Sequence, residues 1–139
     1  VTRALGVDLG EKRIGIALSD PTRTIASPHS VIKRSGNAEV DRRAVLNIAR
    51  EEGVTQLVVG LPLTLTGARR AAARAALAEV EALKQLAPDL IIEAFDERLT
   101  TAIAQRSLLE GDVRRKDRKQ VIDKVAAAVM LQSWLDGQI

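Results

Sequence analysis

The chain has 139 residues, enough for one domain with a real core, and its 46% hydrophobic and 28% charged residues are the balance of a globular protein. With no cysteine, disulfides, thiolate catalysis and cysteine-bound zinc drop out, and a single histidine, His29, argues against a histidine-rich metal site or a serine–histidine triad. The net charge of +3, with arginine outnumbering lysine, suits phosphate, but so small an excess decides nothing until its distribution is known.

Ala4 to Gly10 and Arg13 to Asp20 are two short apolar runs around a polar link at Glu11 and Lys12, the pattern of a β-hairpin. A third extended segment, Thr24 to Lys33, contains Pro28, which predicts an edge or irregular strand. Asn37 to Glu52 has helical spacing through Val40, Ala44, Val45 or Leu46, Ile48 and Ala49, closed by Gly53. Gln56 to Gly60 is wholly apolar after its first residue and reads as a central strand, followed by a loop over Leu61–Thr66. Ala68 to Leu86 predicts a helix with Leu77, Val80, Leu83 and Leu86 on one side, and Leu90 to Phe95 a fifth strand. A helix from Thr100 or Thr101 to Leu109 and a last one from about Arg118 to Asp136 complete the chain, the latter opened by Asp117 and Gln120 at capping-box spacing. The order β-β-β-α-β-α-β-α-α predicts a single α/β domain over residues 1–139. Its frame is a five-stranded mixed sheet with helices on both faces, the element order of the RNase H-like fold.

Three acids stand out. Asp8 interrupts a buried strand, where a carboxylate needs a cation, a hydrogen-bond network or a cleft; turn amides beside Gly10 are the plainer alternative. Glu97 follows the fifth strand. If the first and fifth strands are central and parallel, it shares with Asp8 the carboxyl edge where α/β sheets hold ligands. Equally, Asp96 and Glu97 would serve as acids opening a helix. Asp123 lies in the second turn of the last helix, off the stripe of Val121 or Ile122, Val125, Val129 and Leu131 or Trp134, toward Ala126, Ala127 and Met130. Helical spacing alone favours an ordinary surface acid paired with Lys119, although the alanines would let this side approach a sheet. Together the three acids are the oxygen ligands that Mg2+ or Mn2+ prefers, and two such ions about 4 Å apart promote in-line phosphoryl displacement.

Four motifs carry a family resemblance. Val7-Asp8-Leu9-Gly10 with Lys12–Ala17 and Ser19-Asp20, Val58–Leu63, Asp96–Thr101 and Asp123–Ala127 occur in family order, and the chain resembles the YqgF (RuvX) family over nearly its whole length. The resemblance implies an RNase H-like nuclease of bacteria, a pre-16S ribosomal RNA nuclease or Holliday-junction-resolvase-like protein, with Asp8, Glu97 and Asp123 as catalytic, metal-holding acids.

Cations frame this set. Arg114, Arg115, Lys116, Arg118 and Lys119 precede or open the helix bearing Asp123, and such clusters hold phosphate chains or form a solvated loop. Arg69, Arg70 and Arg74 open a helix with no acid before Glu79, opposing its dipole; a bound anion would relieve this, and a tolerated exposed face explains it as well. Lys12 and Arg13 beside Asp8, and Arg98 beside Glu97, complete the cations expected to meet nucleic acid. One Phe, one Trp and no Tyr argue against recognition by base stacking, so Trp134 is expected in the core or a dimer contact, and His29 is expected to play no part.

The expected activity is metal-dependent endonucleolytic hydrolysis, with processing of the pre-16S rRNA 5′ end in ribosome biogenesis first. The partners are then structured RNA and pre-ribosomal particles. Cleavage of branched DNA in recombination and repair, suited by a homodimer, is the alternative. A non-catalytic RNA-binding assembly factor comes third. Asp8-Leu9-Gly10 also resembles the phosphate motif of actin-like ATPases and sugar kinases, but 139 residues leave no room for their second lobe. No signal pattern or membrane-length apolar run is present, so a cytoplasmic, membrane-free protein is expected.

Overall fold

The computed structural model describes residues 2–61, 67–97 and 118–138, with the side chains of 67–69 and 118–123 outside that description. The expected loop through Thr66, the helix to Leu109 and the capping pair at Asp117 therefore fall wholly or largely outside the described residues. Five strands, β1 (Ala4–Leu9), β2 (Arg13–Ser19), β3 (Ala26–Lys33), β4 (Gln56–Leu61) and β5 (Ile91–Asp96), form one sheet in the order β3-β2-β1-β4-β5. The β1–β2–β3 pairings are antiparallel, and β1–β4 and β4–β5 are parallel. Three helices complete the described chain: α1 (Ala38–Glu51), α2 (Gly67–Leu86) and α3 (Arg118–Asp136).

Period-two alternation divides each strand between two cores. Leu5, Val7, Ile14, Ile16, Leu57, Val59 and Ile92 pack with Val45 and Ala49 of α1 and Val80 and Leu83 of α2. On the other face Ala4, Ala17 and Val58 pack with Ala127, Ala128, Met130, Leu131 and Trp134 of α3. The expected mixed sheet with helices on both faces is what the chain forms. Pro28, which has no N–H to donate, lies on edge strand β3, and the β2–β3 register shifts between Ile16 and Ala17, opposite it.

The helices bury Val45, Ala49, Val80 and Leu83 of the expected apolar faces and depart from the rest. Val40 of α1 is exposed, whereas Asp41 is buried and its carboxylate accepts from the Ser35 amide at 3.0 Å. Asn37 caps α1, accepting from the amides of Glu39 and Val40. In α2 the buried positions are Ala73, Ala76, Val80 and Leu83, continued by Ala87, and Leu77 and Leu86 lie 47% and 44% exposed. Small alanines win the inner face because they let the helix sit close to the sheet, and the leucines are displaced to the rim. In α3 the sheet-facing core takes Leu131 and Trp134 of the expected stripe together with Ala127, Ala128 and Met130, and Val125 and Val129 are also buried.

Candidate active site

Parallel pairing carries β1, β4 and β5 to a common carboxyl edge, and Asp8 stands there on the α3 face with Ala4 and Gly6. Its partner across β2 is Gly15. On β4 the register runs to Val7↔Val59, so one residue further Asp8 lies beside Gly60. Asp8, half-buried, is thus flanked by two glycines, neither of which brings a side chain to that face.

Gly60 also explains the position of Glu97. β5 pairs with β4 through Gly60↔Phe95 and Leu61↔Asp96, and Glu97 follows immediately. A Cβ placed on Gly60 would stand 2.4 Å from Glu97 Oε1 and 3.1 Å from its Cγ and Cδ. The Glu97 side chain therefore lies directly over Gly60, on the floor that Asp8 borders from the other side. Asp96 falls on the opposite face by alternation, so the chain separates two adjacent acids that spacing alone leaves equivalent.

The third acid approaches on α3. At Gly6 an added Cβ would lie 2.9 Å from Leu131 Cβ and 3.2 Å from the Ala127 carbonyl oxygen, so the helix crosses β1 in direct contact. Gln132 accepts from the Ala26 amide at 2.8 Å, at the opposite end of the sheet from the carboxyl edge of β1. Tracing α3 backward from Gln132 through Leu131 and Ala127 thus leads toward that carboxyl edge. Position 123 is one turn, about 5.4 Å, further along the same stripe. The Asp123 side chain itself lies outside the described residues.

The donor set fits a hard divalent cation: carboxylate oxygens border a glycine floor without thiolate or imidazole. Among the described residues no group of three or more acidic, histidine or cysteine side chains is gathered as a metal site, Asp123 not being among them. His29 is elsewhere, on β3, hydrogen-bonded to Ser30 and Glu52. Trp134 is a core residue whose Nε1 donates to Glu93 at 2.6 Å.

Of the expected cations, Lys12 lies in the β1–β2 turn and Arg13 opens β2 at the edge that carries Asp8, Lys12 exposed and Arg13 half-buried. Arg70 and Arg74 are exposed in the first turns of α2. Glu79, the first acid after them, is taken by Arg42 of α1, which donates to it through Nε at 2.9 Å and an η nitrogen at 2.6 Å. Arg69, Arg118 and Lys119 have helical backbones and undescribed side chains; Arg98, Arg114, Arg115 and Lys116 lie outside the described residues. Sequence reasoning passed over Gly60, Gly15 and Gly6 as supports. Glycine inside an apolar strand run was the available signal, because it marks a close approach by another group.

The strand order, the two-sided packing and the carboxylates at the carboxyl edge of β1 and β5 define an RNase H-like fold with an acidic centre. Thermus thermophilus RuvC, in a structure with a Holliday junction substrate, superposes with a TM-score of 0.66 at 13% identity over 99% of this chain and 96% of that one. The chain belongs to the RuvX family, whose model, described as Holliday junction resolvase, matches residues 2–137. Among curated relatives, a protein of Nocardia farcinica named "Putative pre-16S rRNA nuclease" is 42% identical over 96% of this chain and 77% of its own length. One of the same name from Paracoccus denitrificans is 45% identical over 94% and 82%.

Proposed function

We propose that this chain is a divalent-metal-dependent endonuclease acting in the cytoplasm on the 5′ end of pre-16S rRNA, free or within pre-ribosomal particles. The observation that carries the reading is the Glu97 side chain laid over Gly60 beside Asp8, in a chain whose relatives bear the name of such a nuclease. Asp8, Glu97 and Asp123 are the residues assigned to hold Mg2+ or Mn2+. Those ions, when bound, supply the charge that activates water and stabilises the leaving oxygen.

The protein's own contribution is placement. Strands fix Asp8 and Glu97 on one face, and the glycine floor admits a phosphate between carboxylates that by themselves would repel it. Hydrolysis forms a bond from a water oxygen to phosphorus and breaks the bond from phosphorus to one ester oxygen, which leaves with a proton. The cations at Lys12, Arg13, Arg70 and Arg74 are assigned to the flanking backbone. Among the described residues no helix is long and apolar enough to cross a membrane.

A second reading is cleavage of four-way DNA junctions, favoured by the description of the family model and needing a homodimer to cut two strands together. The deciding experiment offers a precursor 16S RNA fragment and a synthetic four-way junction side by side, with Mg2+ or Mn2+, to wild type and Asp8→Asn. The expected outcome is metal-dependent RNA cutting that the variant loses. Cutting of the junction alone selects the second reading. Undiminished cutting by Asp8→Asn refutes the site, and binding without cutting leaves a non-catalytic assembly factor.

A further inference from the structure

A cleft of about 680 Å3 opens between the β1–β2 turn, the end of β3 and the start of α1. Lys12, Arg13, Lys33 and Arg34 line it together with Glu11 and Asp41, so four cations face two acids and leave an excess of two positive charges. The acids do not cancel the cations one for one. Asp41 is only 5% exposed and its two oxygens accept from the Ser35 amide at 3.0 and 3.3 Å, which commits it to the turn before α1. Among the described residues neither Lys12 nor Lys33 makes an ion pair, although both are exposed.

The cleft is tied to the acidic centre by short, rigid connections. Arg34 Nε donates to the Gly10 carbonyl at 2.6 Å, and its amide donates to the Lys12 carbonyl at 3.0 Å. The Gly10 amide donates to the Arg13 carbonyl at 3.0 Å, closing the turn two residues beyond Asp8. Among the described residues Arg34's side chain is held by one nitrogen, and its terminal amino groups form a fork suited to a phosphate. Cross-strand pairing sets Lys33 opposite Arg13, so two cations from different strands stand side by side. Gly36, with φ near +86°, turns the chain from β3 into α1 and places no side chain in the cleft mouth.

We propose that this cleft seats a phosphodiester of the nucleic-acid substrate away from the cut, with Lys33 and Arg34 joining Lys12 and Arg13 as backbone contacts. The proposal rests on the nuclease reading and adds to it a track that leaves the acidic centre across β2 toward edge strand β3. Contacts of this kind carry no base preference; they fix the register of the backbone relative to Asp8.

The test measures binding of a labelled precursor 16S RNA fragment and of a four-way DNA junction by full-length Asp8→Asn protein, alone and combined with Lys33→Gln or Lys12→Gln/Lys33→Gln. Titrations span about 50 to 200 mM KCl, the range in which phosphate contacts dominate affinity. Each lost contact is expected to flatten the plot of log affinity against log salt by about 0.7 for single strands and about 0.9 for duplex. The double change flattens it about twice as far, and Lys33→Arg restores it. The probe whose slope responds identifies the backbone that the cleft takes. An unchanged slope, with Asp8 still required for cutting, overturns the cleft and leaves the nuclease intact. No binding of either probe by wild type overturns both.

Discussion

Replacing Gly60 with alanine separates the placement of Glu97 from the stability of the sheet. The new Cβ would stand 2.4 Å from Glu97 Oε1, and ordinary contact begins at 3.4 Å, so the carboxylate must retreat by about 1 Å. A shift of about 1 Å at a reacting centre can cost ~100-fold in rate, equivalent to about 2.7 kcal/mol of barrier. The fold is expected to tolerate the change. Gly60 does not use a left-handed φ, and the obstructing atoms belong to the flexible end of one side chain rather than to backbone. Stability should therefore stay within about 1 kcal/mol of wild type. The assay pairs kcat/KM for metal-dependent cleavage with urea unfolding of the same preparation. A Gly60→Ala protein that cuts at the wild-type rate would show that Glu97 does not act from the position it holds over β4. A protein that loses stability in step with activity would show that Gly60 serves packing.

Gly6→Ala should behave in the opposite way: its Cβ meets Leu131 Cβ at 2.9 Å and the Ala127 carbonyl at 3.2 Å, neither of which can yield without moving α3. A loss of about 1–3 kcal/mol in urea unfolding is expected, and an unaltered midpoint would contradict the close crossing. Trp134→Phe removes the donor to Glu93 while Gln56 Nε2 still donates to the same oxygen at 2.9 Å. A cost of about 1.5–3 kcal/mol is expected for a bond to a charged acceptor, and a value near zero in denaturant titration would show that Gln56 alone satisfies Glu93. The Asp20 carboxyl is held down to about 2 by bonds from the Ile25 amide, the Thr22 hydroxyl and the Thr24 amide. A carboxylate favoured in the folded state contributes stability that is full above its unfolded value of 3.8 and fades as pH falls toward about 2. NMR titration should place the Asp20 midpoint near pH 2, and a midpoint near 3.8 would mean that the β2–β3 turn does not hold it.

Short apolar runs, turn residues and helical spacing were enough to read most of this architecture. The short apolar and extended runs became β1 to β5 within two residues at either end, Pro28 marked the edge strand, and the last helix occupies the expected span. These features are legible because hydrogen-bond geometry and side-chain alternation act between near neighbours. Asp8 was legible for a related reason: a carboxylate within an apolar strand is costly wherever that strand lies. Which helix positions would be buried was legible only in part: Val45, Ala49, Val80 and Leu83 are buried as expected, and Val40, Leu77 and Leu86 are not. Leu77 and Leu86 are more hydrophobic than Ala73 and Ala76 on the inner face of α2, but the distance between helix and sheet, set by all the packed elements together, selects for small side chains there, and at the start of α1 Asp41 is buried while Val40 is exposed. The same collective constraint decided the site. Adjacent Asp96 and Glu97 are interchangeable in a string of letters. Only the parallel register of β1, β4 and β5 turns one toward α3, and only the missing side chain at Gly60 gives it room beside Asp8. Lys33 and Arg34 likewise joined Lys12 and Arg13 through cross-strand pairing, which brings together residues about twenty apart in the chain and leaves no trace in local spacing.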